Sequence, residues 1–396
     1  EVAQTKTVNL YGFAPEYMST MALDVALNDA VEREEDSEWE KGVQKVLPDL
    51  GVRQYLQKRF GAALLGKPGL AGKSMVWQWG MGDTAKSTIQ ECVAGSKGVF
   101  EPYSITSSAK ALTKNGEKMG ATDRFKAYAR GKRFAIMSEM DDGDALAQGE
   151  LKVMTGGESV EGTAKYANAV NYYFTATIFM ASNHQPTFPP GDTAARTRIH
   201  VVPFTHKLFI RSKDPEGWNN APSEHRADEG WADKVLHSPH ERAAILRWVL
   251  DGLVLFGQEG IGELPQEMID SAEEFASDAD PVGQMVNVLL GKEVGYDGVG
   301  QIKIYTDEEW EKNGYSNSDG LLLKEFTTLL EIQAHNMKLL KPGEVLPRRW
   351  ASGAKGMVSD LGGCKKKIKV GNSTGWGFSR VKLVFTPYGM EKEFSR

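Results

Sequence analysis

The chain has 396 residues, of which 41% are hydrophobic and 25% charged, and its net charge is -6. This composition excludes collagen-like, coiled-coil and disordered chains and allows about two or three domains. The two cysteines, Cys92 and Cys364, exclude a disulfide framework and a Cys-x-x-Cys zinc site, and they favour a reducing compartment. No apolar run reaches the roughly 20 residues of a membrane span and no signal peptide is evident, so we expect a cytoplasmic protein without a membrane partner.

Residues 1–65 are predicted to form an N-terminal helical segment. The stretch DAVEREEDSEWEKGVQKVL is typical of a charged helix or linker. VRQYLQKRFGAALLG then places apolar residues at helical spacing and ends at Gly66, a plausible cap. The chain begins without a methionine, which favours a further domain ahead of residue 1.

Residues 66–205 alternate short apolar runs with helical or polar stretches. The runs are SMVWQW, KRFAIMSE, YYFTATIFMAS and RIHVVPF. This alternation predicts an α/β fold with a sheet of parallel strands.

The remainder is predicted to contain a helical segment, residues 206–295, and a basic C-terminal domain, residues 296–396. HSPHERAAILRWVLDGLVLF opens with a Ser-Pro-x-Glu helix start and should be a buried helix. Helices followed by two strand-like runs, in KKKIKVGNSTGWGFSRVKLVFT, predict a winged-helix-like domain. Residues 321–396 hold 14 Lys and Arg against 6 Asp and Glu, which is typical either of a nucleic-acid-binding module or of a solvated tail.

Two loops compete for the role of phosphate-binding loop (P-loop). GLAGKS, residues 69–74, has an intact Gly-Lys-Ser but is followed by a strand-like run where the chemistry needs a helix. WQWGMGDTAKST, residues 77–88, has a strand before it and a predicted helix after it, and departs from G-x-x-x-x-G-K-[ST] only at Ala85. We therefore predict that the second loop binds nucleotide and the first merely connects. The predicted binding residues are Gly80, Gly82, Asp83, Thr84, Ala85, Lys86, Ser87 and Thr88.

Ala85 is acceptable in such a loop if its φ is negative, because only glycine adopts positive φ cheaply. In this motif the lysine reaches the β- and γ-phosphates and the serine hydroxyl holds Mg²⁺, so ATP and Mg²⁺ are the predicted ligands. A plain glycine turn is the alternative.

Polar side chains follow two later predicted strands. Glu139 comes after FAIMS and is predicted to position Mg²⁺ or the attacking water, with Asp141 as a second candidate. Asn183 ends another strand, where it could hold the water, although a simple turn is the alternative. Arg196 and Arg198 precede a further strand, and either could act on a neighbouring subunit's nucleotide or form a salt bridge to Asp192.

The series formed by the P-loop, GKRFAIMSE, LKVMTGGESVEG, FMASNHQP and DTAARTRIHVVPF resembles the superfamily 3 helicase domain of phage and plasmid primase-helicases, the group that includes the poxvirus primase-helicase. The resemblance runs from about residue 37 to 290. It implies an AAA+-like P-loop ATPase core that assembles as a homo-oligomer, usually a hexamer, around single-stranded or forked DNA beside a primase domain. The protein would then act in the host cytoplasm.

Carried over to this sequence, the resemblance gives Lys86 and Ser87 the phosphate and Mg²⁺ roles. It makes Glu139 the Walker B acid and Asn183 the sensor residue. Arg198 becomes the arginine finger, with Arg196 as a substitute, and Lys152 matches a family lysine. The sequence departs from the pattern at Thr84, Ala85, Ser138, Thr163 and Thr197, which puts rapid ATP turnover in doubt.

DNA contacts are expected at two places. The resemblance implies a β-hairpin within VEGTAKYANAVNYYF, where Lys165 and Tyr166 could pair a phosphate contact with a stacking ring. The alternative is a surface hairpin in which Tyr166 packs on its own strand. In the basic domain the candidates are Arg348, Arg349, Lys365, Lys366 and Lys367, whereas Trp350 and Trp376 are expected in the core.

The sequence thus predicts an ATP-dependent replicative DNA helicase of a phage or mobile element. An origin-melting initiator or a DNA-packaging motor is the first alternative. A DNA-binding module with a degenerate ATP site is the second, and Ala85 is its best argument.

Overall fold

The structure is a computed structural model of the whole chain. It describes residues 21–25, then 37–278 except 142–143, 185 and 187–196, and then 281–383 except 291–301, 316–319, 338–339, 341–344, 347–349, 352–353, 356–357, 360, 362 and 371–372. The chain divides into two compact units, with the boundary between residues 275 and 276, inside the helix that ends the first unit.

The first unit opens with two capped helices. Its elements are α1 (Glu38–Val46), α2 (Leu50–Ala63), β1 (Met75–Trp79), α3 (Lys86–Ala94), β2 (Ser104–Ser107), α4 (Lys114–Lys118), α5 (Ala121–Tyr128), β3 (Phe134–Met137), α6 (Gln148–Gly156), β4 (Ser159–Gly162), β5 (Val170–Tyr173), β6 (Thr177–Ser182), β7 (Ile199–Pro203), α7 (Pro215–Asn220), α8 (Trp231–His237), α9 (Pro239–Glu259) and α10 (Gln266–Asp278). Ser37 and Asp49 cap α1 and α2 by accepting backbone N–H groups of the first turn. Ser238 caps α9 in the same way, with Pro239 in its first turn, as the Ser-Pro-x-Glu start predicts.

Five parallel strands form the central sheet in the order β2-β3-β6-β1-β7. β1 is paired on both sides, Trp79 lying beside Ser182 of β6 and Met75 beside Ile199 of β7. Parallel strands bring their carboxyl ends to one edge, so the residues after β1, β3 and β6 lie together there. The predicted α/β fold with a parallel sheet is confirmed.

Apolar side chains of the sheet pack with the flanking helices into one core. Phe60 of α2 stacks on Phe179 of β6, with ring centroids 4.2 Å apart, and also contacts Trp248 of α9. A Cβ on Gly61 would lie 2.1 Å from the Leu253 nitrogen, so α2 and α9 approach backbone to backbone. The helices before and after the α/β core therefore pack directly against each other.

The sequence prediction missed some elements of this unit. β2, with the sequence SITS, is too polar and short to stand out as a strand. YYFTATIFMAS is not one strand but two, because β5 pairs antiparallel with β4 while β6 enters the central sheet. The GLAGKS stretch is a turn between α2 and β1, as predicted.

The second unit contains α11 (Pro281–Leu289), β8 (Ile302–Ile304), α12 (Asp307–Lys312), β9 (Leu321–Leu322), α13 (Leu323–Asn336), β10 (Cys364–Val370), β11 (Ser373–Ser379) and β12 (Val381–Leu383). β10 and β11 form the predicted antiparallel hairpin, and β11 also pairs with β9. Phe326 of α13 contacts Phe378 of β11 edge to face in a separate hydrophobic core. Within the described part of the chain, no helix is long and apolar enough to cross a membrane.

Candidate nucleotide-binding site

The loop between β1 and α3 reverses the chain tightly at the carboxyl edge of the sheet. A Cβ on Gly80 would lie 2.2 Å from the carbonyl oxygen of Phe204, so only glycine fits beside the end of β7. Gly82 follows, and a Cβ there would meet nothing within 4 Å. Asp83 and Ala85 both have left-handed backbones, with φ of 61° and 60°. Such turns can direct successive N–H groups into one concavity, a common anion-binding arrangement.

The left-handed conformation of Ala85 corrects the expectation of a negative φ. Ala85 lies directly before α3 with φ 60° and ψ 16°, the region in which a Cβ is strained. The alanine is therefore accommodated at a cost of about 1 kcal/mol and not by a change of backbone.

Lys86 lies in the first turn of α3, and its ammonium is surrounded by oxygen atoms. Nζ donates to the carbonyl oxygens of Gly80 and Met81 at 2.9 and 2.6 Å and to the Thr84 hydroxyl at 3.1 Å. It also donates to Oδ1 of Asn183 at 2.9 Å. Burial lowers the pKa of Lys86, while the nearby carboxylates of Glu139 and Asp83 act in the opposite direction.

Glu139 and Asn183 meet Lys86 at the same edge. Glu139 follows the fully buried strand β3, and its Oε1 accepts the backbone N–H of Asn183 at 3.2 Å. Asn183 thus bridges the lysine of the P-loop and the carboxylate after β3. The second acidic candidate, Asp141, is instead paired with Lys110 at 3.6 Å, and both side chains are exposed.

These residues line one side of a pocket of about 650 Å³. A volume of this size is typical of sites for cofactors and nucleotides. The lining on this side comprises Gly82, Asp83, Thr84, Ala85, Lys86, Ser87, Thr88, Met137, Ser138, Glu139, Ala181, Ser182 and Asn183.

The opposite wall was not predicted from the sequence. It is formed by α1 and the chain after β7, through Gly42, Lys45, Val46, Leu208, Ile210, Arg226, Ala227, Asp228, Glu229, Trp231 and Ala232. Gly42 allows α1 to lie against the Trp231 ring, because a Cβ there would come within 2.3 Å of it. Trp231 also stacks on Trp39 and donates its indole N–H to the Glu38 carbonyl at 2.8 Å. No sequence motif identifies these residues, because they are distant from one another in sequence and are brought together by packing.

The residues present suit a nucleoside triphosphate with Mg²⁺. Lys86 and the first N–H groups of α3 supply positive charge for phosphates, and Ser87 is the second residue of the same helix. Glu139 and the Ser87 hydroxyl are oxygen donors, the class that Mg²⁺ prefers. The second wall adds the apolar side chains of Val46, Ile210 and Trp231, which suit a nucleobase.

Arg198 lies away from this pocket. It directly precedes β7, so it is at the amino edge of the sheet, roughly 16 Å from the carboxyl edge for a five-residue strand. Its guanidinium donates to the Lys73 and Lys152 carbonyls, both at 3.4 Å, and to the Thr155 hydroxyl at 3.2 Å. Arg196 and Asp192 lie outside the described residues. Arg198 therefore does not join Lys86 and Glu139 within one chain.

The predicted DNA-binding residues are described only in part. Lys165 and Tyr166 lie in the turn between β4 and β5, where Tyr166 is 93% exposed and the Lys165 Nζ lies 4.9 Å from its ring centroid. The alternative that Tyr166 packs on its own strand is therefore wrong. Arg348 and Arg349 lie outside the described residues. Lys365, Lys366 and Lys367 belong to β10, opposite Phe378, Gly377 and Trp376 of β11, and only their backbone is described.

The expectation that Trp376 belongs to the core is wrong. Trp376 is 57% exposed, although Phe378, two residues further along β11, is fully buried. Both project from the same face of the strand, so Trp376 lies beyond the edge of the core. Trp350 does pack against that core and is half-buried.

Comparisons with known proteins point to one kind of relative. Residues 64–198 match a family of unknown function, DUF5906. A putative helicase of Acanthamoeba polyphaga mimivirus is 22% identical over 297 residues, covering 72% of this chain and 30% of the relative. A putative helicase of Frog virus 3 is 28% identical over 165 residues, covering 40% of this chain and 16% of the relative.

Among solved structures, the apo C-terminal region of NrS-1 aligns with a TM-score of 0.49 and 11% identity, covering 89% of this chain and 77% of that one. The chain spans less than a third of the length of the viral relatives it matches. The chain is thus related in sequence to viral proteins named as putative helicases, and the region shared with DUF5906 includes its P-loop, Glu139 and Asn183.

Proposed function

We propose that the protein is an ATP-dependent DNA helicase of a phage or mobile element, of superfamily 3 type with an AAA+-like core. The observation that carries the proposal is the convergence of Lys86, Asn183 and Glu139 on one pocket at the carboxyl edge of a parallel sheet. The names of the viral relatives support the coupling of this site to nucleic acid.

In the proposed reaction, water attacks the terminal phosphorus of ATP and the bond to the ADP oxygen breaks. Glu139 is placed to accept the proton of the attacking water, and Lys86 to stabilise negative charge on the phosphate oxygens. Asn183 holds both residues through its side chain and its backbone N–H. Mg²⁺, held by Ser87 and Glu139, would supply further charge neutralisation when bound.

The proposed assembly is a homo-oligomeric ring, a hexamer by resemblance, that encircles single-stranded or forked DNA. Arg198 is too far from the pocket of its own chain, so a role in catalysis requires a neighbouring subunit's nucleotide. Six copies of the exposed Lys165–Tyr166 turn would concentrate positive charge and stacking surface in a channel despite the acidic chain. The winged-helix-like domain, its basic residues and a primase partner belong to the same proposal.

The test of the ATPase is the rate of ATP hydrolysis with and without single-stranded DNA. The wild-type chain should show DNA-stimulated turnover, and Lys86→Ala should abolish it. Lys73→Ala is the matched control, because Lys73 is the lysine of the competing GLAGKS loop and should be dispensable. If Lys73→Ala abolished turnover and Lys86→Ala did not, the nucleotide would bind at the GLAGKS loop, contrary to the proposal.

Unwinding is tested separately, by strand displacement on a forked duplex. Displacement supports the helicase, whereas ATP hydrolysis without displacement supports an origin-melting initiator or a packaging motor. Absence of hydrolysis in a preparation that forms rings would leave a DNA-binding module, with Ala85 as the mark of a degenerate site. Lys165→Ala and Tyr166→Ala should reduce stimulation by DNA and leave the basal rate unchanged.

A further inference from the structure

Asp83 places a carboxylate on a loop whose other groups suit phosphate. Its backbone is left-handed and its side chain is about one-third exposed where it lines the pocket. A carboxylate there repels the phosphates of any bound nucleotide, so this position calls for a compensating cation.

Lys213 supplies a cation at that point. Its Nζ lies 2.6 Å from Oδ1 of Asp83, and it comes from the chain after β7, 130 residues away. The backbone of Asp83 holds the same segment, since its carbonyl oxygen accepts the Leu208 N–H at 2.8 Å. Leu208 and Ile210 line the pocket, so this segment is a pocket wall attached to the P-loop at Asp83.

The ion pair between Asp83 and Lys213 can open at little cost in folding stability. The Lys213 side chain is 64% exposed, and exposed ion pairs contribute little to folding stability. A lysine ammonium on a flexible four-carbon stem can turn to another acceptor without moving the backbone. The terminal phosphate of a nucleoside triphosphate carries more negative charge than one carboxylate and would compete for it.

We propose that Lys213 is a nucleotide-binding residue that recognises the terminal phosphate. Asp83 holds its ammonium at the rim of the pocket, and the ammonium moves to the γ-phosphate when a triphosphate binds. Through Lys213, the segment 205–213 then contacts a bound triphosphate but not a bound diphosphate, which lacks the γ-phosphate. The inference rests on the proposed nucleotide binding at Lys86.

The test is isothermal titration of the full chain with ATPγS and with ADP, each with Mg²⁺. Lys213→Met should weaken ATPγS binding about tenfold, as expected for a lost charge-assisted hydrogen bond, and ADP binding less than twofold. Lys207→Met is the matched control, because Lys207 is an exposed lysine of the same segment whose ammonium lies over Phe209, 5.3 Å from the ring centroid. It should bind both nucleotides like the wild type.

Asp83→Asn distinguishes direct recognition from simple charge neutralisation. If Lys213 contacts the phosphate, the double variant Asp83→Asn/Lys213→Met binds ATPγS about tenfold more weakly than Asp83→Asn alone. Equal affinities of those two proteins would overturn the proposal, and so would an equal loss of ATPγS and ADP affinity in Lys213→Met. A wild-type chain that binds neither nucleotide would refute the nucleotide site itself, a result distinguishable from the failure of Lys213 alone.

Discussion

The two edges of the central sheet carry polar side chains of similar kinds and use them differently. At the carboxyl edge, Lys86, Glu139 and Asn183 line a pocket and hold one another in place. At the amino edge, Arg59 is fully buried and donates to the Ser74 hydroxyl and carbonyl at 2.7 and 2.6 Å. One edge directs its polar groups into a pocket, and the other uses them inside the fold.

The difference follows from what covers each edge. Helix α2 lies over the amino edge, where Tyr55 and Arg59 reach His200 of β7 and Ser74 before β1. These partners of Arg59 are uncharged, and they bond both terminal nitrogens of its guanidinium inside the fold. The carboxyl edge is instead bounded by α1, the start of α8 and the chain after β7, which leave a pocket of about 650 Å³ beside the strand ends. A polar residue at a strand end is therefore informative about function only when its covering element is known.

Arg198 is an exception to this difference between the edges, because it lies at the amino edge but is proposed to act on the nucleotide of a neighbouring subunit. Arg198→Ala should lower ATP hydrolysis about 10³-fold, as for an arginine finger, with little change in ATPγS affinity. Steady-state hydrolysis and nucleotide titration of the assembled protein measure the two quantities.

Mixing provides the control for a role between subunits. Arg198→Ala and Lys86→Ala proteins, each inactive alone, should recover part of the activity when mixed, because some interfaces then hold both intact residues. Thr155→Val removes the hydrogen bond from Arg198 to the Thr155 hydroxyl but keeps the charge of Arg198, so this variant should remain active. Full activity of Arg198→Ala would leave the amino edge purely structural.

Glu139→Gln tests the catalytic role proposed for the carboxyl edge of the sheet. The substitution keeps an oxygen near the Asn183 N–H but removes the base, so hydrolysis should fall about 10²–10⁴-fold. Binding of ATPγS should change less than threefold. Asp141→Asn is the control, because Asp141 is exposed and paired with Lys110, and its hydrolysis rate should match the wild type.

The carboxyl-edge residues could be predicted from sequence because Glu139 and Asn183 closely follow strand-like runs, and Lys86 lies in a recognisable loop motif between a strand-like run and a helix. Short apolar runs located β1, β3, β6 and β7, and parallel pairing then placed Lys86, Glu139 and Asn183 together. The role of each residue in catalysis remains a prediction.

The rest of the pocket could not be predicted, for a physical reason. Trp231, Gly42 and Asp228 reach the pocket through packing between α1 and the chain after β7, and packing partners distant in sequence leave no spacing pattern. The left-handed backbone of Ala85 escaped prediction as well, because alanine gives no local signal for positive φ. Trp376 was misplaced because strand alternation assigns a face but not the point where the core ends.

The pH dependence of folding stability tests whether His200 is buried at the amino edge. Burial lowers the pKa of His200 to about 4, so the folded protein keeps the ring neutral where the unfolded chain, with a pKa of about 6.5, becomes protonated. Stability should therefore be unaffected by this group above pH 6.5 and should fall by about 3 kcal/mol as the pH decreases to 4. Urea unfolding of wild-type and His200→Gln proteins at pH 7 and pH 4.5 measures the difference. An equal pH dependence in both would mean that His200 is not the titrating group.

Ala85→Gly is expected to have the smallest effect, and it separates folding from function at the carboxyl edge. Glycine removes the strain of a left-handed alanine, so the free energy of unfolding should rise by about 1 kcal/mol, partly offset by the greater entropy of the unfolded chain. Because the backbone already has the conformation that glycine would adopt, ATPγS affinity should change less than twofold. Ala94→Gly, in the last turn of α3, is the control and should destabilise by roughly 0.5–1 kcal/mol. Destabilisation by Ala85→Gly of similar size would show that the loop holds Ala85 at negative φ, and the anion-binding concavity assigned to residues 83–85 would then have to be rebuilt around Gly82 alone.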